Sequence, residues 1–390
     1  MIEIDPFDVE TMPWRTGGRQ DRDVLAYEAS VPGPIAGLST ARLRPDGDLA
    51  SASRDAEVAI RLLDQSSGSA LASIEPFLAR SEAIASSKIE REMTTVDQLA
   101  RAQVGIKAPR SARSVFAAMT GLKKLVEHSM SGPITLSAIL AAHRCLMEED
   151  RFEASYAGRL RDMQNWIGGS DYSPRGAAYV PPAPERVEAL MADLVAFVNR
   201  EDLDPVTQAA LAHAQFESIH PFTDGNGRVG RSLINAVWRR RGLTTQVTVP
   251  VAAALAGRRE TYFAALARFR DGEAEPLVVL LGDAAIAAAA EARESAATLS
   301  GLPGRWRESA SPRAGSAADK LIDLLVANPV LDADRAARLV GASEAAGYRA
   351  IGTLVEAGVL RPITESKRNQ AWAAGAVLDE ADALIRRLAL

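Results

Sequence analysis

The sequence predicts a mainly α-helical protein with a few short β elements, and three observations carry that expectation. Aromatic residues are 5% of the 390 residues while Ala and Leu are abundant, which favours helix over sheet. Apolar residues recur at helical spacing in one segment after another, separated by Gly, Pro and Ser breaks. Extended signals are confined to short stretches.

Taken in order, residues 1–35, with Pro6, Pro13, Pro32 and Pro34, read as a largely irregular arm. Residues 50–65 read as a helix with Val58, Ile60, Leu62 and Leu63 as its apolar contacts, ended by a Ser/Gly break at 66–69. A helix over about 74–91 follows, then amphipathic helices over 111–128 and 135–149, split by Ser131-Gly132-Pro133. Trp166, Ile167 and the paired Gly168 and Gly169 suit a short extended hairpin. Helices over 184–199 and 205–219 lead to a Gly-rich turn, and a new helix starts near Asn226. Val247 to Pro250 is a short extended link, and 258–270 and 276–299 are helices. The Ser-, Gly- and Pro-rich stretch after Leu299 reads as a linker. Beyond it, helices at 317–327, 332–340 and 343–358 and two short strands joined by Thr364 to Asn369 look like a winged helix, with Ser343 as N-cap of its third helix. The implied division is 1–105, 106–300, a linker at 301–316, and 317–390.

Forty-five basic against fifty acidic residues give a net charge of −5, which argues against broad nonspecific binding to nucleic acid or membranes. The most apolar run, Leu277 to Ala290, is shorter than a membrane span and contains Asp283. The N-terminus lacks the apolar core of a signal peptide, so a cytoplasmic protein is expected. Cys145 is the only cysteine, which excludes an internal disulfide and a cysteine metal cluster. It reads as a buried small hydrophobe.

The chemistry concentrates in residues 216–231. A helix ends near His220-Pro221 and another begins near Asn226, and between them Asp224-Gly225-Asn226-Gly227 is a turn whose glycines can take positive φ. Such a turn gathers backbone N–H groups into an anion site at a helix N-terminus, which fits phosphate. Arg228 and Arg231, three apart, share a helix face and can reach further phosphates. Asp224 is a hard oxygen ligand suited to Mg²⁺ shared with phosphates, and His220 has the pKa of a general base. Singly, each residue has a plain structural role as turn, cap or solvated charge. Within twelve residues they amount to a phosphoryl or nucleotidyl transferase.

The stretch His220-Pro-Phe-Thr-Asp-Gly-Asn-Gly-Arg-Val-Gly-Arg231 resembles the Fic family signature, His-Pro-Phe-x-Asp/Glu-Gly-Asn-Gly/Lys-Arg-x-x-Arg, at every defined position. The resemblance implies a mainly α, Fic-type helical core with a short β-hairpin flap, followed here by the C-terminal winged-helix module. It implies an enzyme that moves AMP from Mg-ATP to a Ser, Thr or Tyr hydroxyl of a target protein and releases pyrophosphate. His220 would then be the base, Asp224 the Mg²⁺ ligand, Gly225, Asn226 and Gly227 the phosphate nest, and Arg228 and Arg231 the clamps of the β- and γ-phosphates. Phe222 would anchor the loop, and Tyr262 would lie near the nucleotide base. Asn165, Trp166, Ile167 and Gly168 would form the flap that pairs with an extended piece of the target by strand addition. Ser86-Ser-Lys-Ile-Glu90-Arg91 resembles the family's inhibitory helix pattern Ser/Thr-x-x-x-Glu-Gly/Asn, which implies that Glu90 pairs with Arg231 and takes the space of the γ-phosphate. Arg91 departs from that pattern, and could prolong the helix or place a cation beside Glu90.

Two other readings stay open on the residues. The same site could remove AMP from a target with Glu90 positioning water, or transfer another nucleotide. Alternatively, the winged helix could bind an operator while the Fic domain senses nucleotide. From Ser316 onward nine basic residues face ten acidic ones, so protein docking or homodimerisation fits that module better than DNA, although Tyr348, Arg349, Lys367 and Arg368 could contact a duplex. His128, His143 and His213 lack a ligand spacing with His220, which speaks against a metallohydrolase, and His213 reads as structural. The target could be another protein or the chain itself.

Overall fold

A computed structural model describes residues 2–14, 26–65, 71–364 and 370–389. The Ser/Gly break at 66–69, Lys367, Arg368 and most of the expected hairpin loop lie outside the described residues. In chain order the elements are β1 (Asp8–Pro13), β2 (Ala26–Val31), α1 (Thr40–Leu43), α2 (Gly47–Gln65), α3 (Leu71–Ile89), α4 (Val96–Gln103), α5 (Arg110–Ser131) and α6 (Leu136–Met147). Then come α7 (Pro184–Val198), α8 (Pro205–Ile219), α9 (Asn226–Arg240), α10 (Val251–Gly257), α11 (Arg259–Arg270), α12 (Glu275–Ser300) and α13 (Leu302–Ala310). The chain closes with α14 (Ala317–Leu324), β3 (Val330–Leu331), α15 (Ala333–Val340), α16 (Glu344–Glu356), β4 (Leu360–Pro362), β5 (Trp372–Ala374) and α17 (Gly375–Leu388). The protein is mainly helical, as its composition predicts. Among the described residues no helix is long and apolar enough to cross a membrane.

The chain forms two compact units. The first comprises residues 1–57, 120–243 and 259–283. At its centre α8 packs along α9, with α7 and α11 against α8 and α6 against both α7 and α9. Close approach explains the pairing: a Cβ on Gly230 of α9 would stand 2.9 Å from the Phe216 ring of α8. Both helices are buried almost throughout, so neither shows a clean amphipathic stripe. Asp204 caps α8 by accepting from Thr207 N at 2.6 Å, and Pro205 occupies the first turn, where its missing N–H costs nothing.

Among its described residues the N-terminal arm holds two strands rather than irregular chain. β1 and β2 pair antiparallel, from Asp8 opposite Val31 to Pro13 opposite Ala26. The prolines that suggested irregularity stand outside the ladder or at its end: Pro6 precedes β1, Pro13 closes it, and Pro32 and Pro34 follow β2, where a missing N–H is tolerated.

The second unit comprises residues 58–119, 244–258 and 284–390. Here α3 packs on α10 and on α17. Glu75 accepts from the Thr248 hydroxyl at 2.7 Å, and Glu82 accepts from Ala252 N at 2.8 Å, in the uncapped first turn of α10. In the C-terminal part, α14, α15 and α16 pack together, and β3, β5 and β4 form a three-stranded antiparallel sheet in that order. Ser343 caps α16 as expected, accepting from Ala346 N at 3.3 Å.

Three local expectations are corrected. In α2 the apolar contacts are Ala56, Ile60 and Leu63, at i, i+4 and i+7, whereas Val58 and Leu62 are exposed. Leu302–Ala310, within the stretch read as a linker, is a helix with Pro303 in its first turn, and it buries Leu302 and Trp306. Cys145 is half-buried and takes a hydrogen bond from Lys124 Nζ at 3.0 Å instead of sitting deep among apolar side chains.

Candidate active site

His220 caps the C-terminus of α8 in the left-handed conformation, at φ 50° and ψ 59°. For a residue with a Cβ this costs on the order of 1 kcal/mol, and it turns the chain sharply out of the helix. Its N–H still reaches Phe216 O at 2.9 Å, and its Nδ1 lies 3.3 Å from Glu217 O. A carbonyl can only accept, so this contact assigns the proton to Nδ1 and the basic lone pair to Nε2.

The loop after His220 is pinned by side chains that do no chemistry. Asn226 clamps Phe222 twice, its Oδ1 accepting from Phe222 N and its Nδ2 donating to Phe222 O, both at 2.8 Å. Asn165 donates to the same carbonyl at 2.9 Å. The Phe222 ring is fully buried and stacks flat on His143, centroids 3.7 Å apart. His143 Nδ1 accepts from Gly158 N at 3.0 Å, so Nε2 carries the proton and donates to Asp224 O at 3.1 Å. Burial pushes the His143 pKa down to about 4, which keeps the ring neutral in this role. Thr223 donates to Glu153 at 2.6 Å.

Gly225 is required twice over. Its φ is +78°, and a Cβ there would meet Met147 Cε at 2.5 Å and Leu146 Cδ2 at 2.8 Å. It is the N-cap of α9 and offers no side-chain acceptor, and the first turn of that helix carries no acidic residue, so its backbone N–H groups are donors suited to an anion.

The charged groups flank that turn. Asp224 is half exposed; its Oδ1 accepts from Gly225 N at 2.6 Å and lies 3.3 Å from Arg228 Nη2. Arg228 and Arg231 are 6% and 1% exposed, so both guanidinium groups lie within the protein wall. Among the described residues no cluster of three or more His, Cys, Asp or Glu could hold a metal ion alone. One oriented carboxylate beside an anion site fits Mg²⁺, which takes its other ligands from phosphate and water.

The expected flap is a minimal hairpin. Ile167 and Tyr179 form a single antiparallel bridge, with Ile167 N to Tyr179 O at 2.9 Å and Ala178 N to Ile167 O at 2.8 Å. Gly168 and Gly169 both have positive φ, and a Cβ on Gly169 would run into the backbone of Arg175 and Ala177. Trp166 donates to Ser170 O at 2.7 Å and packs edge-on against Trp14, while Ile167 is 38% exposed. Tyr179 anchors the return strand: its hydroxyl donates to Ser218 O at 2.6 Å, and the Arg270 guanidinium lies 3.5 Å over its ring.

Tyr262 is 1% exposed, and its hydroxyl lies 2.7 Å from His213 Nε2, so the two form a buried pair within the helical core. Ser86 and Glu90 belong to the second unit. Ser86 is buried on α3, and Glu90 is an exposed C-cap. Arg91 does not prolong the helix. It takes φ 63°, with Glu92 N bonded to Ser87 O and Arg91 N to Lys88 O, both at 3.0 Å, which is a Schellman cap on a residue other than glycine.

Two residues escaped the sequence reading. His143 sits on an apolar helical stripe with Ile139, Ala142 and Leu146, where a histidine out of keeping with its neighbours was the available signal. Arg161 is 3% exposed and donates through its guanidinium to His220 O at 2.9 Å, Met163 O at 3.1 Å, Ile219 O at 3.4 Å and Pro182 O. No local pattern marks it, because most of these acceptors are remote in sequence.

Residues 133–237 match the model of the Fic/DOC family. Over 149 residues the chain is 35% identical to the protein adenylyltransferase fic-1 of Caenorhabditis briggsae, covering 37% of this chain and 26% of that protein. Over 153 residues it is 33% identical to the protein adenylyltransferase Fic of Drosophila grimshawi, covering 38% of this chain and 28% of that protein. The chain thus spans about a quarter of the length of these curated relatives. A crystal structure of a Fic family protein from Desulfovibrio desulfuricans superposes with a TM-score of 0.53 at 22% identity, over 85% of this chain and 96% of that one, which supports the fold.

Proposed function

We propose that this chain, which carries a Fic/DOC family domain over residues 133–237, transfers AMP from Mg-ATP to a hydroxyl of a target protein and is held back by Glu90. The reading rests on one arrangement: a histidine with its proton on Nδ1, delivered by the left-handed end of α8 to the donor-rich start of α9. His220 Nε2 accepts the proton of the target hydroxyl as its oxygen attacks the α-phosphorus. The bond to the bridging oxygen breaks, and pyrophosphate leaves with that oxygen. The first-turn amides of α9, with Arg228 and Arg231, bind the phosphates and offset the charge that grows on the leaving group. Asp224 would hold Mg²⁺, which when bound neutralises phosphate charge. The flap orients the target segment, with Ile167 as its exposed apolar contact.

Glu90 supplies the restraint in this proposal, and the Arg91 cap fixes where the helix stops and Glu90 begins. A restraint of this kind biases an equilibrium by about 1–3 kcal/mol. The C-terminal order of helix, strand, two helices and two strands we read as a winged helix, used for protein docking or self-association.

The test is label transfer from α-labelled Mg-ATP to protein by the wild type, Glu90→Gly, and Glu90→Gly combined with His220→Ala. Strong labelling of the chain or of other proteins by Glu90→Gly alone is the expected result. No labelling by any form, together with removal of AMP from a modified target by the wild type, would replace the transferase reading and make Glu90 catalytic.

A further inference from the structure

Arg161 is a buried cation whose guanidinium hydrogen bonds all end on backbone carbonyls. Two of these, Ile219 O and His220 O, are carbonyls at the C-terminus of α8, the negative end of that helix, where a cation is favoured. The other two belong to Met163 and Pro182, which flank the two roots of the flap. The Arg161 backbone closes the same bracket by donating to Pro221 O at 2.9 Å. Burial lowers the Arg161 pKa to about 10, so the group stays charged at neutral pH. One side chain therefore ties both ends of the flap to the carbonyl of the catalytic histidine.

We propose that Arg161 is a positioning residue that sets the distance between a target held on the flap and the imidazole of His220. This rests on the transferase reading, in which the flap carries the target and His220 takes its proton. A planar fork that serves four carbonyls at once is specific to arginine, and a lysine ammonium at the same place cannot reproduce it. A misplacement near 1 Å at a reacting centre costs about 100-fold in rate. None of the Arg161 hydrogen bonds reaches residues 224–231, so nucleotide binding has no direct dependence on it.

The experiment compares Arg161→Lys with its parent in a Glu90→Gly background. Three readouts are taken: label transfer with the KM for ATP, the ¹⁵N spectrum of the His220 ring, and hydrogen exchange of the Ile167 and Ala178 amides. Expected are turnover lower by about 100-fold with the KM for ATP within about twofold, loss of the pure Nδ1–H tautomer signature, and faster exchange at both flap amides. Turnover within about threefold of the parent, or a KM for ATP that rises in step with the loss of turnover, would overturn the proposal. So would an unchanged His220 spectrum. If the parent transfers no label, the transferase reading has failed, and the spectrum and the exchange, which need no activity, still decide whether Arg161 positions His220. If Arg161→Lys does not fold, two glycines inserted after the exposed Asp171 loosen the flap tip and leave the bracket intact. The His220 spectrum then stays parental, because the intact Arg161 bracket still holds the flap roots and His220 together, and a shifted spectrum overturns the proposal.

Discussion

Replacing Arg91 with glycine should stabilise the end of α3, although glycine is a poor helix residue. Arg91 has φ 63° and sits one position past the C-cap, with the two backbone bonds of a Schellman motif closing over it. A residue with a Cβ in that conformation costs roughly 1–2 kcal/mol. Glycine removes that strain but widens the unfolded ensemble, which takes back about 0.4–1 kcal/mol. The net gain is about 0.5–1 kcal/mol, enough to slow local opening roughly two- to fivefold. Native-state hydrogen exchange at the Arg91 and Glu92 amides, which donate to Lys88 O and Ser87 O, reads this opening directly. Arg91→Ala is the control: alanine suffers the same strain and should leave exchange near the wild-type rate. Faster exchange in Arg91→Gly would refute the reasoning, because glycine inside a continuing helix costs about 1 kcal/mol. If Glu90 restrains transfer as proposed, the tighter cap also lowers the basal labelling of the otherwise wild-type chain.

Two further expectations concern buried pairs. His143 has a folded pKa near 4 against an unfolded value of about 6.5, so the unfolded chain binds the proton first as pH falls. Its contribution is complete above about pH 6.5 and is lost toward pH 4 at about 1.4 kcal/mol per unit. His143→Gln should remove that slope from urea midpoints measured across this window, and parallel slopes for the two proteins would refute the assignment. Tyr262→Phe should cost about 1–2 kcal/mol through the lost bond to His213, leaving ATP affinity by calorimetry unchanged; a weakened affinity would return Tyr262 to the nucleotide.

The motif was legible because its parts are local. A His-Pro helix end, a Gly-Asn-Gly turn and two arginines one turn apart state their geometry within a dozen residues, and α8 ends and α9 begins where the pattern puts them. What holds the motif was not legible, because it comes from afar. Asn165 reaches Phe222, Glu153 reaches Thr223, and His143 bridges Gly158 and Asp224. None of these pairs is marked by spacing, and His143 differs from a plain core histidine only by what it touches. The strands β1 and β2 were hidden by prolines that punctuate their ends, since composition does not tell a proline inside a segment from one beside it. In α2, Val58 and Leu62 drew the eye as large apolar residues, yet the buried stripe runs through small Ala56. Burial there is set by the neighbours, which a single helix does not encode.

These remote ties explain why the site tolerates two left-handed residues within six positions. His220 and Gly225 bracket the turn, and both conformations are required for it to fold back from α8 into α9. At Gly225 the neighbours Met147 and Leu146 leave no room for a Cβ, so glycine alone fits. At His220 the proposed transfer needs the imidazole, so the strain remains and is offset by other contacts. Its carbonyl and that of Ile219 are held by Arg161, and the following Phe222 is locked by Asn226, Asn165 and the His143 ring. Each of those contacts is made by the chain's own groups, so the fold itself offsets the strain. Under the proposed transfer, a site tied down in this way holds His220 and the α9 turn in register by internal contacts, which is the condition under which fixed dipoles act on developing charge without reorganisation.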